Sequence, residues 1–324
     1  MGTKDKASDL TLMEIMRRFS TEEAAREYLE KLRWPNGPTC PHCGNANSAR
    51  IYKIEANPAK KIRAGLYKCA ECKGQFTVTV DTVMEDSHIP LNKWLIAFYL
   101  MMASKKSVSA LQLQRVLEIG SYRSAWFMCH RIRHALRPTP SQGGGPLKGT
   151  VEADETYIGG KRRGVGRGYR SEKAPVVAMV QRGGRVRSVG VDVVDKDSLA
   201  EVLLKHVATT AKLNTDELPA YVGVGKKFAH HDTVNHRRDE YVRHGARVAT
   251  TNTVEGYFSL VKRAVYGTYH QIGRKYLRFY LAEFDHRYNL RDTTDGARTD
   301  AAIKCIEGKR LMLYPSLGKP RTHQ

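Results

Sequence analysis

The chain has no long apolar segment. Its longest uninterrupted apolar run covers only ten residues, 94–103, whereas a helix needs roughly 20 to span a bilayer. The first thirty residues have mixed charge and lack the apolar stretch of a signal peptide. These absences argue against a membrane or secreted protein, and we expect a cytoplasmic one.

Acidic residues are scarce relative to basic ones. The chain has 33 Asp and Glu against 54 Lys and Arg, a net charge of +21 and a pI of about 9.8. Such a surplus disfavours compaction through self-repulsion, so a polyanionic partner is expected. A membrane surface is the competing polyanion, but the short apolar run favours nucleic acid. With 324 residues and 41% hydrophobic content, the chain suits two or three globular modules.

Cysteine is also rare, and its placement is informative. Four of the six cysteines form two C-x-x-C pairs separated by 25 residues: Cys40 and Cys43, then Cys69 and Cys72. Two such knuckles present four thiolates to one tetrahedral Zn²⁺, a closed structural site. Four unrelated buried thiols are the alternative. Cys129 and Cys305 stand alone in helical patterns and are interpreted as core thiols.

The first half of the chain reads as helices around this ribbon. Apolar periodicity predicts one or two helices over 10–33, with Ser20-Thr21-Glu-Glu as a start signal. Residues 40–86 look strand-like, ending in a period-two stretch over 75–80 that suits a hairpin. Three helices follow, over 91–103, 108–119 and 121–136, before a Pro- and Gly-rich linker over 138–145. The predicted modules are N-terminal helices 1–36, a zinc ribbon 37–88 and a helical segment 89–140.

The last of these helices resembles a recognition helix. Its apolar residues recur at helical spacing, and Arg123, Arg131, Arg133 and Arg137 are expected on the remaining surface. With a preceding helix and a turn at Gly120, this is a helix-turn-helix-like, DNA-binding pattern. A three-helix bundle with a solvated basic face explains it equally well.

Beyond the linker the pattern becomes α/β. Strands are predicted over 150–158, 175–181 and 185–194, with a hairpin turn at Gly183-Gly184. A helix over 198–208 precedes a polar segment ending at Asp216, and helices follow over 253–265 and 275–288. Strands followed by helices predict a mixed sheet in a domain over 146–295, with a C-terminal tail over 296–324.

Three acidic residues in this domain are catalytic candidates. Alternation places Asp154 on one strand face with Glu152 and Thr156, although a surface acid is the commoner case. Asp216 also suits a turn or helix cap. Glu255 lies three residues after Asn252 and so fits a capping box. Lys262, two helical turns further on, lies on the same face and suggests a joint metal and phosphate site.

A set of motifs points to a known family. In chain order they are Asp154-Glu-Thr-Tyr-Ile-Gly-Gly-Lys161, Thr-Asp216-Glu-x-x-Ala-Tyr221, Val-Asn-His236, Thr-Asn252-Thr-Val-Glu255-Gly, Lys262-Arg263 and Gly267-Thr-Tyr-His270. Together they resemble the bacterial insertion-sequence transposases of family fifteen-ninety-five, over nearly the whole chain. The family's helix often has Gly-Phe-Trp after the glutamate where this chain has Gly256-Tyr-Phe, a change expected to affect packing.

The resemblance implies a ribonuclease-H-like catalytic domain in which Asp154, Asp216 and Glu255 bind two Mg²⁺ (or Mn²⁺) ions. Carboxylates suit such ions, which activate the attacking oxygen and stabilise the leaving one. It implies a nucleoid-associated transposase that cuts and joins double-stranded DNA at element ends and target, as a homo-oligomer assembled on DNA. The expected phosphate contacts are Lys262, Arg263, Lys161, Arg162 and Arg163, with Arg123 and Arg131 in the helical segment. His230, His231, His236 and His270 stay unassigned.

Two other functions compete with this one. A zinc-ribbon DNA-binding regulator with an inactive catalytic domain explains the basic charge and the ribbon. However, three carboxylates facing DNA give a mere binder no advantage. A nuclease or resolvase of the same fold, without strand transfer, explains the carboxylates. We therefore expect a transposase, with the regulator as the main alternative.

Overall fold

A computed structural model of the protein describes residues 10–139, 144–159, 173–234, 242–243 and 248–312. The chain divides into two units. The first unit contains the described residues 10–104, 110–136 and 293–312. The second unit contains residues 105–109 and the described residues from 137 to 292. The linker predicted over 138–145 lies partly outside the described residues.

Helices α1 (Leu12–Arg18) and α2 (Glu22–Arg33) open the first unit. The hydroxyls of Thr11 and Thr21 accept hydrogen bonds from the exposed N–H groups of their first turns, so each helix starts at a threonine cap. This confirms the start signal at Ser20-Thr21.

The ribbon is a three-stranded antiparallel sheet of β1 (Ile51–Ile54), β2 (Leu66–Cys69) and β3 (Gln75–Phe76). The expectation of a strand continuing to Val80 is wrong. The chain turns after Phe76, where the N–H of Val80 bonds to the carbonyl of Thr77.

The described part of the first unit has four further α-helices: α3 (Leu91–Ala103), α4 (Ala110–Val116), α5 (Tyr122–Ala135) and α10 (Asp295–Lys304). Helix α3 is apolar on nearly all sides and is largely buried, with Trp94 and Phe98 at 1% and 0% exposure. Helix α10 lies in the segment predicted as a tail. Among the described residues, no helix is long and apolar enough to cross a membrane.

A five-stranded mixed sheet forms the centre of the second unit. Its strands are β4 (Thr150–Ile158), β5 (Ala174–Gln181), β6 (Val186–Gly190), β7 (Lys212–Thr215) and β8 (His230–Thr233). The order is β6-β5-β4-β7-β8. Strand β5 pairs antiparallel with both β4 and β6, and strand β7 pairs parallel with both β4 and β8. This confirms the predicted fold class, a mixed α/β sheet of the ribonuclease-H-like kind that follows a zinc ribbon along the chain.

Helices cover both faces of this sheet. They are α6 (Lys196–His206), α7 (Ala220–Gly225), α8 (Asn252–Ala264) and α9 (Leu277–Asn289), and a short pair, β9 (Val242–Arg243) and β10 (Ala249–Thr250), precedes α8. On one face Val176 and Ala178 pack with α8 and α9, and on the other Val151 and Ala153 pack with α6 and α7. Alternation along β4 and β5 produces these two apolar layers.

Candidate active site and metal centres

Asp154 and Asp216 lie side by side on neighbouring parallel strands. Strands β4 and β7 pair in a register that aligns Glu152 with Asn214. Two residues further along, the same register brings Asp154 beside Asp216, which follows the last residue of β7. The backbone N–H of Glu155 binds Asp154 Oδ1 at 2.8 Å, and that of Leu218 binds Asp216 Oδ1 at 3.1 Å. Both side chains are therefore fixed by their own backbone.

Glu155 joins this pair, which the sequence did not predict. Ligand oxygens of Asp154, Glu155 and Asp216 all lie within 4.8 Å of one another. The Tyr221 hydroxyl, on the buried face of α7, donates a 2.8 Å hydrogen bond to Glu155 Oε2. Strict alternation along a strand predicts that Glu155 points to the opposite face from Asp154. The only sequence feature that indicated a role for Glu155 beside Asp154 is that the two acids are adjacent in the chain.

The clustered carboxylates repel one another. Burial, together with the negative charges of Glu155, Asp216 and Glu255, raises the pKa of Asp154 to about 7. Burial also raises the pKa of Glu155, while the hydrogen bond from Tyr221 lowers it. A cation placed among these oxygens would relieve both the repulsion and the cost of burial.

Glu255 approaches the pair from helix α8. It lies outside the close oxygen cluster but near enough for its charge to raise the pKa of Asp154. The Thr251 hydroxyl donates to Glu255 Oε1 at 2.7 Å. The helix cap predicted at Asn252 is wrong, because Asn252 is the first helical residue and Thr251 is the cap position. Glu255 is thus one position further into the helix than a capping box requires.

Glu152 takes the capping role instead, from strand β4. Its side chain is fully buried, and its carboxylate accepts from the backbone N–H groups of Thr253 at 2.7 Å and Val254 at 3.2 Å. The Thr253 hydroxyl donates a further bond at 2.9 Å, and the Arg182 guanidinium forms an ion pair at 2.9 Å. Strand β4 and the first turn of α8 are therefore joined directly, two residues from Asp154.

These oxygens fit a hard divalent cation. Across an octahedral site with metal–oxygen distances of about 2.1 Å, ligand oxygens lie up to about 4.2 Å apart. The 4.8 Å spread of the three carboxylates needs only small side-chain adjustments to reach that span. The donor set is oxygen alone, which suits Mg²⁺ or Mn²⁺ better than a soft metal.

The four ribbon cysteines fit zinc. All four sulfurs lie within 4.8 Å of one another, with 3.6 Å between Cys40 and Cys72 and 3.7 Å between Cys43 and Cys69. Tetrahedral Zn–S bonds of about 2.3 Å place sulfurs about 3.8 Å apart. His42 points away, with Nε2 at 3.2 Å from the Gln75 carbonyl. The cluster fits a four-sulfur zinc site, as the spacing indicated.

The predicted DNA contacts comprise exposed residues, residues outside the described part of the chain, and one buried residue, Arg131. Lys262 and Arg263 are exposed in the last turn of α8, and Arg123 is exposed near the start of α5. Lys161, Arg162 and Arg163 lie outside the described residues.

Arg131 is different, because it is only 6% exposed. Its guanidinium donates to the Glu85 carbonyl and lies over Trp94 at 5.6 Å, and burial lowers its pKa to about 10. The expectation that Arg131 and Arg133 lie on the surface is wrong, since Arg133 is 2% exposed. Arg131 therefore supports the packing of the first unit and is not proposed as a DNA contact.

The histidines take separate places. His231 Nε2 lies 2.9 Å from the Thr215 hydroxyl, which donates to the Asp216 carbonyl. His231 thus supports the backbone at Asp216. His230 starts strand β8, and His270 is exposed with a φ of 58°. His236 lies outside the described residues.

Comparisons with known proteins match both units. Residues 146–289 match the family described as ISXO2-like transposase domain, and residues 20–75 match the transposase zinc-ribbon domain. A protein from Halobacterium salinarum is 28% identical over 265 residues, which cover 76% of this chain and 83% of the relative. That relative is described as an uncharacterized protein in transposable element ISH50. The first match contains Asp154, Asp216 and Glu255, and the second contains all four ribbon cysteines.

Proposed function

Because the chain carries both domains of an insertion-sequence transposase of family fifteen-ninety-five, we propose that it cuts DNA at the ends of such an element and joins them to target DNA. The observation that carries this proposal is the meeting of Asp154 and Asp216 on adjacent parallel strands, within 4.8 Å. These acids are 62 residues apart in the chain, and the sheet brings them together.

Asp154, Asp216 and Glu255 are proposed to hold divalent metal ions, Mg²⁺ or Mn²⁺. Such ions activate the attacking oxygen and stabilise the leaving oxygen of a phosphodiester. The charges of Glu155, Asp216 and Glu255 all lie near enough to raise the pKa of Asp154, so Asp154 is the proposed central ligand. Glu152 and Thr251 orient the helix and the side chain that bring Glu255 to the site. Glu155, held by Tyr221, lies beside the ligands and adds negative charge.

DNA contacts are proposed for basic side chains of both units. Lys262 lies seven residues after Glu255, nearly two helical turns, and so on the same side of α8. Its ammonium supplies a point charge to a phosphate, and Arg263 extends the basic end of the helix. The basic segment at Lys161, Arg162 and Arg163, together with Arg123, is proposed to follow the DNA backbone. The active assembly is proposed to be a homo-oligomer on DNA.

A two-step assay tests this function. The substrate is a duplex carrying the sequence that flanks the coding region, incubated with zinc-loaded protein and Mg²⁺ or Mn²⁺. We expect strand nicks at the element end, followed by joining of the freed 3′ end to a plasmid. Asp154→Asn should abolish both steps. Asp197→Asn, at an exposed position in the first turn of α6, is the control and should retain both.

The competing functions give different products. A DNA-binding regulator would bind the duplex without ever nicking it. A nuclease or resolvase would nick it without joining the 3′ end to the plasmid. Either pattern, obtained with protein that binds the element end, would contradict the proposed strand transfer.

A further inference from the structure

A basic pocket lies at the β6 edge of the five-stranded sheet, the edge opposite β8. A pocket of about 440 Å³ opens beside edge strand β6, between that strand and helix α9. Its lining contains none of Asp154, Glu155, Asp216 and Glu255. The pocket is therefore distinct from the carboxylate site.

Cations dominate the charge of the pocket wall. Five Arg and Lys side chains line it: Arg137, Arg187, Arg274, Lys275 and Arg278. The wall has two acids, and both already have partners. Asp192 binds Arg274 at 2.6 Å, and Asp285 accepts from the Ser188 hydroxyl at 2.7 Å and the Tyr257 hydroxyl at 2.6 Å. The pocket thus has an excess of positive charge.

These cations are crowded and partly removed from water. Burial lowers the pKa of Arg137, and the positive charge of Arg278 lowers it further. Burial likewise lowers the pKa of Arg187, and so does the positive charge of Arg185, whereas the negative charge of Asp285 raises it. Holding like charges together in a half-buried wall is costly, and an anion in the pocket would offset that cost.

The backbone of the edge strand adds a donor. In β6, the N–H groups of Val186 and Ser188 point outward and bind Asn289 Oδ1 at 2.7 Å and Asp285 Oδ2 at 2.9 Å on α9. Alternation along the strand directs the next outward N–H, that of Gly190, to the same side. Gly190 lines the pocket and has no side chain to cover its own N–H.

The remaining wall is apolar. Leu277 and Leu281 from α9 and Val189 and Val191 from the edge strand line the pocket beside the cations. A site that combines guanidinium groups with an apolar surface suits a phosphate attached to a sugar better than a free inorganic anion.

We propose that this pocket binds a phosphodiester group of a DNA strand, with the deoxyribose against the apolar wall. The inference rests on the proposed function, since it takes DNA as the substrate. The pocket would then hold DNA at a second point, separate from the acids that act on the scissile bond.

Charge reversal at Arg278 tests this site. Arg278 is exposed and lies over the Phe279 ring at 5.1 Å, so Arg278→Glu should leave the fold intact. Lys196→Glu makes the same charge change at an exposed position between two aspartates and is the matched control. Binding to a short fluorescein-labelled duplex is measured by anisotropy over a range of salt, with zinc-loaded protein and no added Mg²⁺.

We expect Arg278→Glu to weaken duplex binding about tenfold, equally for unrelated sequences. The slope of log affinity against log salt concentration should fall by about the amount that one phosphate contact contributes. Lys196→Glu should stay within about twofold of the parent. If the parent binds and nicks DNA, and Arg278→Glu shows the same affinity and salt slope as the parent, the proposed DNA contact in the pocket is wrong while the proposed function stands. A parent that binds no duplex would overturn the proposed function as well.

Competition separates DNA from small anions. Inorganic phosphate and a deoxynucleoside monophosphate are titrated against the bound duplex, and their direct binding is compared in the parent and Arg278→Glu. Loss of small-anion binding in the variant, with unchanged duplex binding, would show a small-anion pocket and overturn the DNA assignment.

Discussion

The carboxylate of Glu152 accepts a 2.7 Å hydrogen bond from the backbone N–H of Thr253. This bond connects the strand that carries Asp154 to the first turn of the helix that carries Glu255. Thr251, the cap residue of helix α8, makes no side-chain cap hydrogen bond, so a buried carboxylate from the sheet satisfies the N–H groups of Thr253 and Val254. A residue outside the proposed metal ligands therefore helps to set the distance between two of them.

Replacing Glu152 should destabilise the second unit strongly. Glu152→Ala leaves Arg182 and two helix N–H groups without their acceptor, which we expect to cost about 3 kcal/mol. Glu152→Gln keeps one acceptor oxygen and should cost less. Urea unfolding measures both. Glu201→Gln, at an exposed position on α6, should change stability by less than about 0.5 kcal/mol. A Glu152→Ala protein as stable as that control would refute the capping role.

Zinc should depend on the ribbon cysteines alone. Purified protein should contain one Zn²⁺ per chain, and Cys43→Ser should lose it and melt the ribbon, because such binding supplies folding free energy. Cys305→Ser, in the same unit but away from the cluster, should keep the zinc. Metal content is measured by mass spectrometry. Full zinc content in Cys43→Ser would contradict a four-sulfur site.

The two glutamates near Asp154 should differ in importance. Glu255→Gln is expected to lower nicking at least about a hundredfold, as expected for loss of a group that acts on the reaction. Glu155→Gln should lower it much less, because the Tyr221 hydroxyl already binds that side chain and an amide oxygen accepts the same bond. Rates are compared at saturating Mn²⁺. The reverse ranking would make Glu155 the third ligand and displace Glu255.

Asp285 should make stability depend on pH. Burial raises the pKa of this carboxyl from 3.8 to about 6, so the folded state binds a proton that the unfolded state has already released. Its contribution to stability is full below pH 3.8 and is lost as pH rises through about 6. Relative to Asp285→Asn, the parent should lose about 1 kcal/mol between pH 5 and pH 7.5. Urea unfolding of both proteins at the two pH values checks this, and a difference that does not change with pH would contradict it.

The sequence predicted best the elements that turn residues border. Strand β4 and helix α3 were predicted with the bounds that the structure has, because Gly149 and Gly159 flank the strand and Pro90 precedes the helix. Strands β7 and β8 were not predicted. Lys212–Thr215 includes Asn214 and Thr215, which are polar yet buried, and His230–Thr233 is entirely polar. Pairing with β4 places β7 in the sheet, and pairing with β7 places β8; no local pattern reveals either pairing.

The candidate site was predicted from motifs more than from pattern. Asp216 looked like a turn residue because the strand before it was not recognised, and only the register with β4 places it beside Asp154. Arg131 looked exposed because charge normally indicates the surface, yet Trp94 and the Glu85 carbonyl hold it inside. Such long-range compensation is visible only in three dimensions.

Manganese binding tests the central claim most directly. Zinc-loaded parent, Asp154→Asn, Asp216→Asn and Asp197→Asn are titrated with Mn²⁺, and the free ion is followed by electron paramagnetic resonance. We expect the parent and Asp197→Asn to bind Mn²⁺ alike, and Asp154→Asn and Asp216→Asn to lose that binding while keeping their zinc and their fold. Undiminished Mn²⁺ binding by both of these variants would show that the two aspartates do not share a metal site.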